Sequence, residues 1–151
     1  MEIVLRSIAI IHNSRNEIID DDWANIISEI CLDDHIPVEA FDHISNFSHL
    51  EILYYFDQSI DKKLSYLRRP RGNPDFPEIG IFAQRNSNRR NQIGLCTVQL
   101  IEHQERVLKV KYLDAINGTP VLDIKPVFKK FEPSGEIKEP KWVGELLHKY
   151  W

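Results

Sequence analysis

Short runs of β-branched and aromatic residues, each bounded by polar or turn-forming segments, dominate the chain. Residues 3–11 are rich in isoleucine and predict a buried strand. Residues 12–22 are polar and read as a loop. Residues 23–32 fit two periods. Trp23, Ile26, Ile27 and Ile30 share a helical face, whereas Ile26, Ser28, Ile30 and Leu32 alternate as in a strand. The dominance of isoleucine favours the strand. Residues 37–44 predict a short helix with Pro37 in its first turn. Residues 47–56 read as a strand and 57–78, with Pro70, Gly72, Pro74 and Pro77, as a long loop. A short strand over 79–84 precedes a stretch, 85–92, that breaks all periodicity. Residues 94–101 and 107–113 predict a hairpin connected by the charged residues 102–106. Asn117-Gly118 is a turn signal ahead of a strand over 121–127. Pro140 opens a final helix with Trp142, Val143, Leu146, Leu147 and Tyr150 on one side.

About seven short strands with little helix predict a mainly β fold. The expected architecture is a small closed or partly open β-barrel with one or two short helices, one of them C-terminal at about 140–151. A chain of 151 residues is the length of one domain, expected over 1–151. With 42% hydrophobic residues it can build a real core. No apolar run approaches the roughly 20 residues of a membrane helix. Met1 to Arg6 lack the basic start and apolar stretch of a signal peptide. Cys31 and Cys96 stand far apart with no CxxC, as in a reducing compartment, so the expected location is cytoplasmic.

Charge is unevenly spread beneath a net −4. Residues 1–61 carry 2 basic and 13 acidic side chains, residues 62–90 carry 8 basic and 2 acidic, and residues 91–151 carry 9 and 8. The basic segment comprises Lys62, Lys63, Arg68, Arg69, Arg71, Arg85, Arg89 and Arg90, with Tyr66, Phe76 and Phe82 interleaved. Arginines among aromatics suit a polyanion with exposed bases. Pairing with the acidic first third is the competing explanation.

Several chemistries find no pattern here. The six glycines form neither GxGxxG nor GxxxxGK[ST], and no GxSxG elbow occurs. The six histidines show no HxH, HExxH or His/Cys ligand spacing, so no metal is expected. His49 reads as a packed or hydrogen-bonded core residue, and Asp20-Asp21-Asp22 as a solvated loop. Polar groups instead concentrate in residues 70–74, 80–95 and 114–126. Arg85 and Arg89 offer forks for a carboxylate or phosphate. Asn91, Gly94 and Gly118 can bring backbone close to a ligand. Asp114 and Asp123 can accept from amines or ribose hydroxyls, with Lys125 to balance them.

These segments resemble the TsaA-like, or TrmO, family. The chain carries Phe47-Ser48-His49-Leu50, then Arg68-Arg69-Pro70-Arg71, then Gly80-Ile81-Phe82-Ala83-Gln84-Arg85 with Arg89, Asn91, Ile93, Gly94 and Leu95 in step. It ends the pattern with Asp114 and the complete run from Gly118-Thr119-Pro120 to Lys125-Pro126. The resemblance implies a β-barrel S-adenosylmethionine-dependent methyltransferase, usually dimeric, that methylates N6 of threonylcarbamoyladenosine beside the tRNA anticodon. It implies that Arg85 and Leu95 lie beside the cofactor and that the turn from Asp114 through Asn117, Gly118 and Thr119 closes over it. Asp123 and Lys125 match the polar pair that follows. Asp114, Asp123 or a backbone carbonyl would take the acceptor's proton, and Arg69, Arg71, Arg89 and Arg90 would hold RNA phosphates. The chain departs from the pattern at Asn86-Ser87, Arg90, Gln92 and Val127, and it lacks the N-terminal Pro-Arg-Gln. Trp23 and Asp57 are cofactor candidates by residue chemistry alone, an aromatic face and a carboxylate for a sulfonium cation. A small-molecule methyltransferase and a non-catalytic binding barrel remain open alternatives.

Overall fold

The computed structural model describes residues 1–59 and 63–151; Lys62 of the basic segment lies outside the described residues. Among the described residues eight strands form: β1 (Ala9–His12), β2 (Ile27–Leu32), β3 (His49–Tyr55), β4 (Leu67–Arg68), β5 (Ile79–Gly80), β6 (Ile93–Gln104), β7 (Val107–Lys111) and β8 (Pro120–Pro126). One α-helix, α1 (Lys141–Leu147), follows near the C-terminus. Six strands close a barrel in the order β1-β2-β7-β6-β3-β8, every pair antiparallel. The expected barrel is therefore closed. Closure pairs what would otherwise be free sheet edges.

The interior follows from strand alternation. On β3, Leu50, Ile52 and Tyr54 point inward and are at most 1% exposed. They meet Ile11 of β1, Ile30 of β2, Val98 of β6, Leu108 and Val110 of β7, and Val121 of β8, all fully buried. Burying each such side chain contributes roughly 1.5–3 kcal/mol, so this layer fixes the register on which the site depends.

The structure differs from expectation at several elements. The N-terminal strand is Ala9–His12, not 3–11, because β8 offers partners only to Ala9 and Ile10; Ile3, Val4 and Leu5 are exposed. The segment 23–32 is a strand over its second half, as isoleucine favoured. Residues 38–46 form two 3₁₀ turns rather than one helix. The hairpin turn is two residues long: β6 runs to Gln104, opposite Val107, and Glu105 takes a left-handed φ of 48°. Residues 102–104 therefore belong to a solvated ribbon that extends from the barrel. Residues 79–84 give only the two-residue β5 and a 3₁₀ turn, Ile81–Ala83; β5 pairs with β4 as a separate small sheet. His49 is exposed and bonded to the Ser48 hydroxyl at 2.8 Å, not a core residue, because inward positions on β3 start at Leu50.

Candidate functional site

One end of the barrel opens into a cleft of about 570 Å³. Its floor is the end of β3 (Tyr54, Phe56), the start of β6 (Leu95, Cys96, Thr97) and the turn that follows β7 (Asp114, Ala115, Ile116, Thr119). One wall is the acidic loop with Ile18, Asp20 and Trp23, and another is the segment Ala83 to Ser87. The third wall is the C-terminal segment: Trp142, Val143 and Leu146 of α1, then Tyr150 and Trp151.

Asp114 sits at the centre. Its neighbours Leu113 and Ala115 are buried at 0% and 3% exposure, which anchors the backbone on both sides. The Tyr54 hydroxyl donates to its Oδ1 at 2.6 Å, and the Tyr150 hydroxyl donates to its Oδ2. Burial, reinforced by the Asp114 charge, pushes both phenols above their ordinary pKa, Tyr54 well above it. The Cys96 thiol is pushed up for the same two reasons and donates to the Tyr112 carbonyl at 2.9 Å. Asp114 is thus a fixed acceptor ringed by groups that stay protonated.

Gly94 explains how Tyr54 reaches it. The two residues are paired across β3 and β6, and a Cβ on Gly94 would stand 2.4–2.9 Å from three atoms of the Tyr54 ring. The missing side chain is the space in which the ring lies. The register shift between Leu53 and Tyr54 against β8 adds to this re-aiming, as bulges beside sites do.

The turn after Asp114 is held by the neighbouring loop. Asn13 donates to the Ala115 carbonyl at 2.8 Å, the Asn117 amide to the Arg15 carbonyl at 2.7 Å and the Gly118 amide to the Ile11 carbonyl at 2.8 Å. Gly118 takes a φ of 85°, a conformation suited to glycine. The C-terminal segment is docked by backbone bonds, Asp22 to the Lys149 carbonyl and Trp23 to the Tyr150 carbonyl, each 2.9 Å. Trp142 packs on Phe76 and Trp151 edge-on to Tyr112.

Of the expected cofactor residues, Trp23, Asp57, Arg85, Leu95, Asp114 and Thr119 line the cleft. Gly94 lines a smaller pocket beside it. Asn117 and Gly118 shape the turn from behind without lining the cleft, and exposed Asn91 lies outside it. Asp123 and Lys125, expected near the chemistry, pair with each other at 2.6 Å on β8, outside the cleft. That bond holds the Lys125 ammonium above its ordinary pKa. Trp23 is 4% exposed, and the Arg15 guanidinium covers its ring at 4.5 Å, so one aromatic face is already taken.

The four expected phosphate-binding arginines are not equivalent. Arg71 makes a fork to Asp21 at 2.7 and 3.0 Å and reaches Asp20 at 3.5 Å. The hydrogen bond to Asp21 raises its pKa. The basic segment thus does pair with the acidic first third, at this point. Arg69 donates to the Phe76 carbonyl, and Arg89 to the carbonyls of Gln84 at 2.7 Å and Ile81 at 3.3 Å. Exposed Arg90 touches only the Tyr66 hydroxyl, at 3.4 Å, among the described side chains. Tyr54, Tyr150 and the wall formed by α1 belong to the site without any chemical motif in the sequence that marks them; their spacing along strand and helix is that of packing residues.

The model of the tRNA-methyltransferase O N-terminal domain matches residues 19–132. The chain belongs to this family. An S-adenosyl-L-methionine-binding protein of Archaeoglobus fulgidus is 37% identical over 103 residues, covering 68% of this chain and 70% of that protein. The tRNA (adenine(37)-N6)-methyltransferase of Escherichia coli K12 is 39% identical over 92 residues, 58% of this chain and 39% of its own length. A crystal structure of TrmO from P. aeruginosa superposes with a TM-score of 0.76 at 24% identity, over 94% of this chain and 62% of that one, a likeness of fold. The chain therefore spans less than two thirds of the latter two proteins. Among its described residues no helix is long and apolar enough to cross a membrane, and no group of three or more His, Cys, Asp or Glu could hold a metal ion.

Proposed function

We propose that this TrmO domain is an S-adenosylmethionine-dependent methyltransferase acting on N6 of a modified adenosine, threonylcarbamoyladenosine, in the tRNA anticodon loop. The observation that carries the reading is the cleft itself: a donor-sized cavity with one fixed carboxylate at its centre. Relatives named for binding S-adenosylmethionine and for methylating tRNA adenine support it.

The residues present fit the methyl donor. Leu95, Ile116 and Leu146 offer apolar surface, and Asp57 and Asp114 offer carboxylates to cationic groups. The Oδ1 of Asn86, a residue of the cleft wall, is buried and has no hydrogen-bond partner among the described residues. Arg85 gives one N–H to the Leu95 carbonyl at 2.7 Å and keeps others for a carboxylate. When bound, S-adenosylmethionine supplies a methyl group activated by a positively charged sulfur.

In this reading Asp114 takes the proton that leaves the acceptor nitrogen. Its two tyrosines use two of the roughly four acceptor sites of a carboxylate, which orients it and leaves capacity free. Asp123 is the weaker candidate because Lys125 occupies it outside the cleft. Holding acceptor and donor in line can supply ~7–11 kcal/mol of the barrier. Arg90 has the freest fork for an RNA phosphate; Arg69, Arg71 and Arg89 first hold the protein's own loops. The reading extends to a single domain over 1–151 working as a cytoplasmic homodimer, supported by the family resemblance and by the part-exposed Leu147 and Trp151.

Labelled methyl transfer into total tRNA, beside a metabolite extract, tests the proposal. Label in tRNA adenosine is expected, with Asp114→Asn lowering kcat by roughly 10²–10⁴. Label confined to metabolites, or absent from both pools, overturns it.

A further inference from the structure

The smaller pocket, about 250 Å³, opens beside the cleft and shares Tyr54, Arg85, Leu95 and Asp114 with it. Its outer lip is Phe82, whose side chain is 84% exposed. A bare phenyl ring is costly to leave in water, and this one is held in place. The turn Ile81–Ala83 that carries it is flanked by Ile81 at 3% exposure and Gln84 at 8%. Gln84 donates to the carbonyls of Arg68 at 2.9 Å and Ile79 at 3.1 Å. Arg89 clamps the carbonyls of Ile81 and Gln84 at both ends of the turn. Phe131, equally exposed, at least packs on Phe128. Phe82 is therefore a ring presented from a fixed backbone turn at the mouth of a pocket that Asp114 also lines.

We propose that Phe82 is the stacking platform for the acceptor base, and that the smaller pocket receives an unstacked purine of the RNA. This rests on the methyltransferase reading above. The geometry separates two neighbouring spaces, the larger for the donor and the smaller for the acceptor, with Asp114 and Arg85 common to both. A flat base laid on Phe82 points its edge inward to the carboxylate that accepts its proton. Single-stranded bases bind on such aromatic faces, and exposed Arg90 follows the turn closely enough in sequence to meet an adjoining phosphate.

The test uses an anticodon stem–loop RNA carrying threonylcarbamoyladenosine, and a second version with 2-aminopurine at that position. Phe82→Ala should raise the RNA KM roughly 5- to 150-fold, the loss of one stacked base, while calorimetry shows the affinity for S-adenosylmethionine unchanged. Release of 2-aminopurine from its RNA neighbours should raise its fluorescence with the wild type; the rise should disappear in Phe82→Ala and give way to quenching in Phe82→Trp, whose indole quenches a base stacked on it. An RNA KM and a fluorescence response unchanged in Phe82→Ala, beside an active wild type, overturn the platform alone. So does a loss of donor affinity as large as the loss for RNA. A wild type that binds the donor yet neither methylates any RNA nor changes its fluorescence overturns both this inference and the reading beneath it.

Discussion

Gly94→Ala is the sharpest perturbation of the packing that builds the site. The new methyl carbon would lie 2.4, 2.5 and 2.9 Å from Cε2, Cζ and Cδ2 of Tyr54. Tyr54 is 1% exposed inside a closed barrel, so the ring yields only by leaving its packed position. Overpacking of this kind costs about 1–3 kcal/mol. A displaced hydroxyl also loses its 2.6 Å bond to the Asp114 carboxylate, worth roughly 1.5–3 kcal/mol for a charged partner. A combined loss of about 4 kcal/mol lowers the melting temperature by roughly 12 °C in a domain of this size. Gly144→Ala is the control: nothing lies within 4 Å of its added Cβ, and it sits in α1. There the helix preference of alanine predicts a gain of up to about 1 kcal/mol. Calorimetric melting of both variants, and of Gly94→Ala in a Tyr54→Ala background, is the assay. In that background the extra methyl should cost less than about 0.5 kcal/mol, since its obstacle is gone. A Gly94→Ala protein that melts with the wild type, or a cost that persists without the ring, refutes the reasoning.

Other outcomes follow from the same geometry. Removing residues 140–151 strips Trp142, Val143, Leu146 and Tyr150 from the cleft wall; circular dichroism should report an intact barrel while calorimetry finds donor affinity at least about tenfold weaker. The folded state keeps Tyr54 and Tyr150 protonated past the pH near 10 at which an unfolded chain releases its phenols, so stability should fall as pH rises above about 10. Chemical denaturation at stepped pH measures that slope, and a flat profile from pH 9 to about 11 contradicts it. Burial and the raised pKa of Cys96 predict little alkylation of that residue in the native protein by iodoacetamide at pH 8, with its labelling appearing on unfolding, as peptide mapping reads apart from part-exposed Cys31. Arg71→Ala should cost no more than about 1 kcal/mol of stability, because its partners are part-exposed, whereas Arg90→Ala should reduce the salt dependence of RNA binding more than Arg69→Ala.

Much of the barrel is legible in the sequence from its runs of aromatic and branched residues: residues 47–56 read as the strand that becomes β3 (His49–Tyr55), while the inward set Leu50, Ile52 and Tyr54 is fixed by the barrel. Strand limits are less legible, since they depend on a partner. Ile3 to Leu5 have every local preference of a strand and no neighbour to pair with, while Glu102 to Gln104 look like a turn and extend a ribbon. The site divides along the same line. Asp114, Arg85 and Leu95 lie in motifs that can be read directly. Tyr54 and Tyr150 reach Asp114 from 60 and 36 residues away and carry no local sign of it. Asp123 and Lys125 belong to the longest motif, yet β8 carries them to the outside of the cleft. A motif fixes neighbours along the chain; closure of the barrel decides which of them meet.

In the proposed function the methyl donor sits in the cleft around Asp114. A crystal structure of this protein with S-adenosylmethionine locates it. The donor is expected between the turn from Asp114 to Thr119 and the face of α1 that carries Trp142 and Leu146. A donor bound at any other surface, with this cleft holding only solvent, contradicts it.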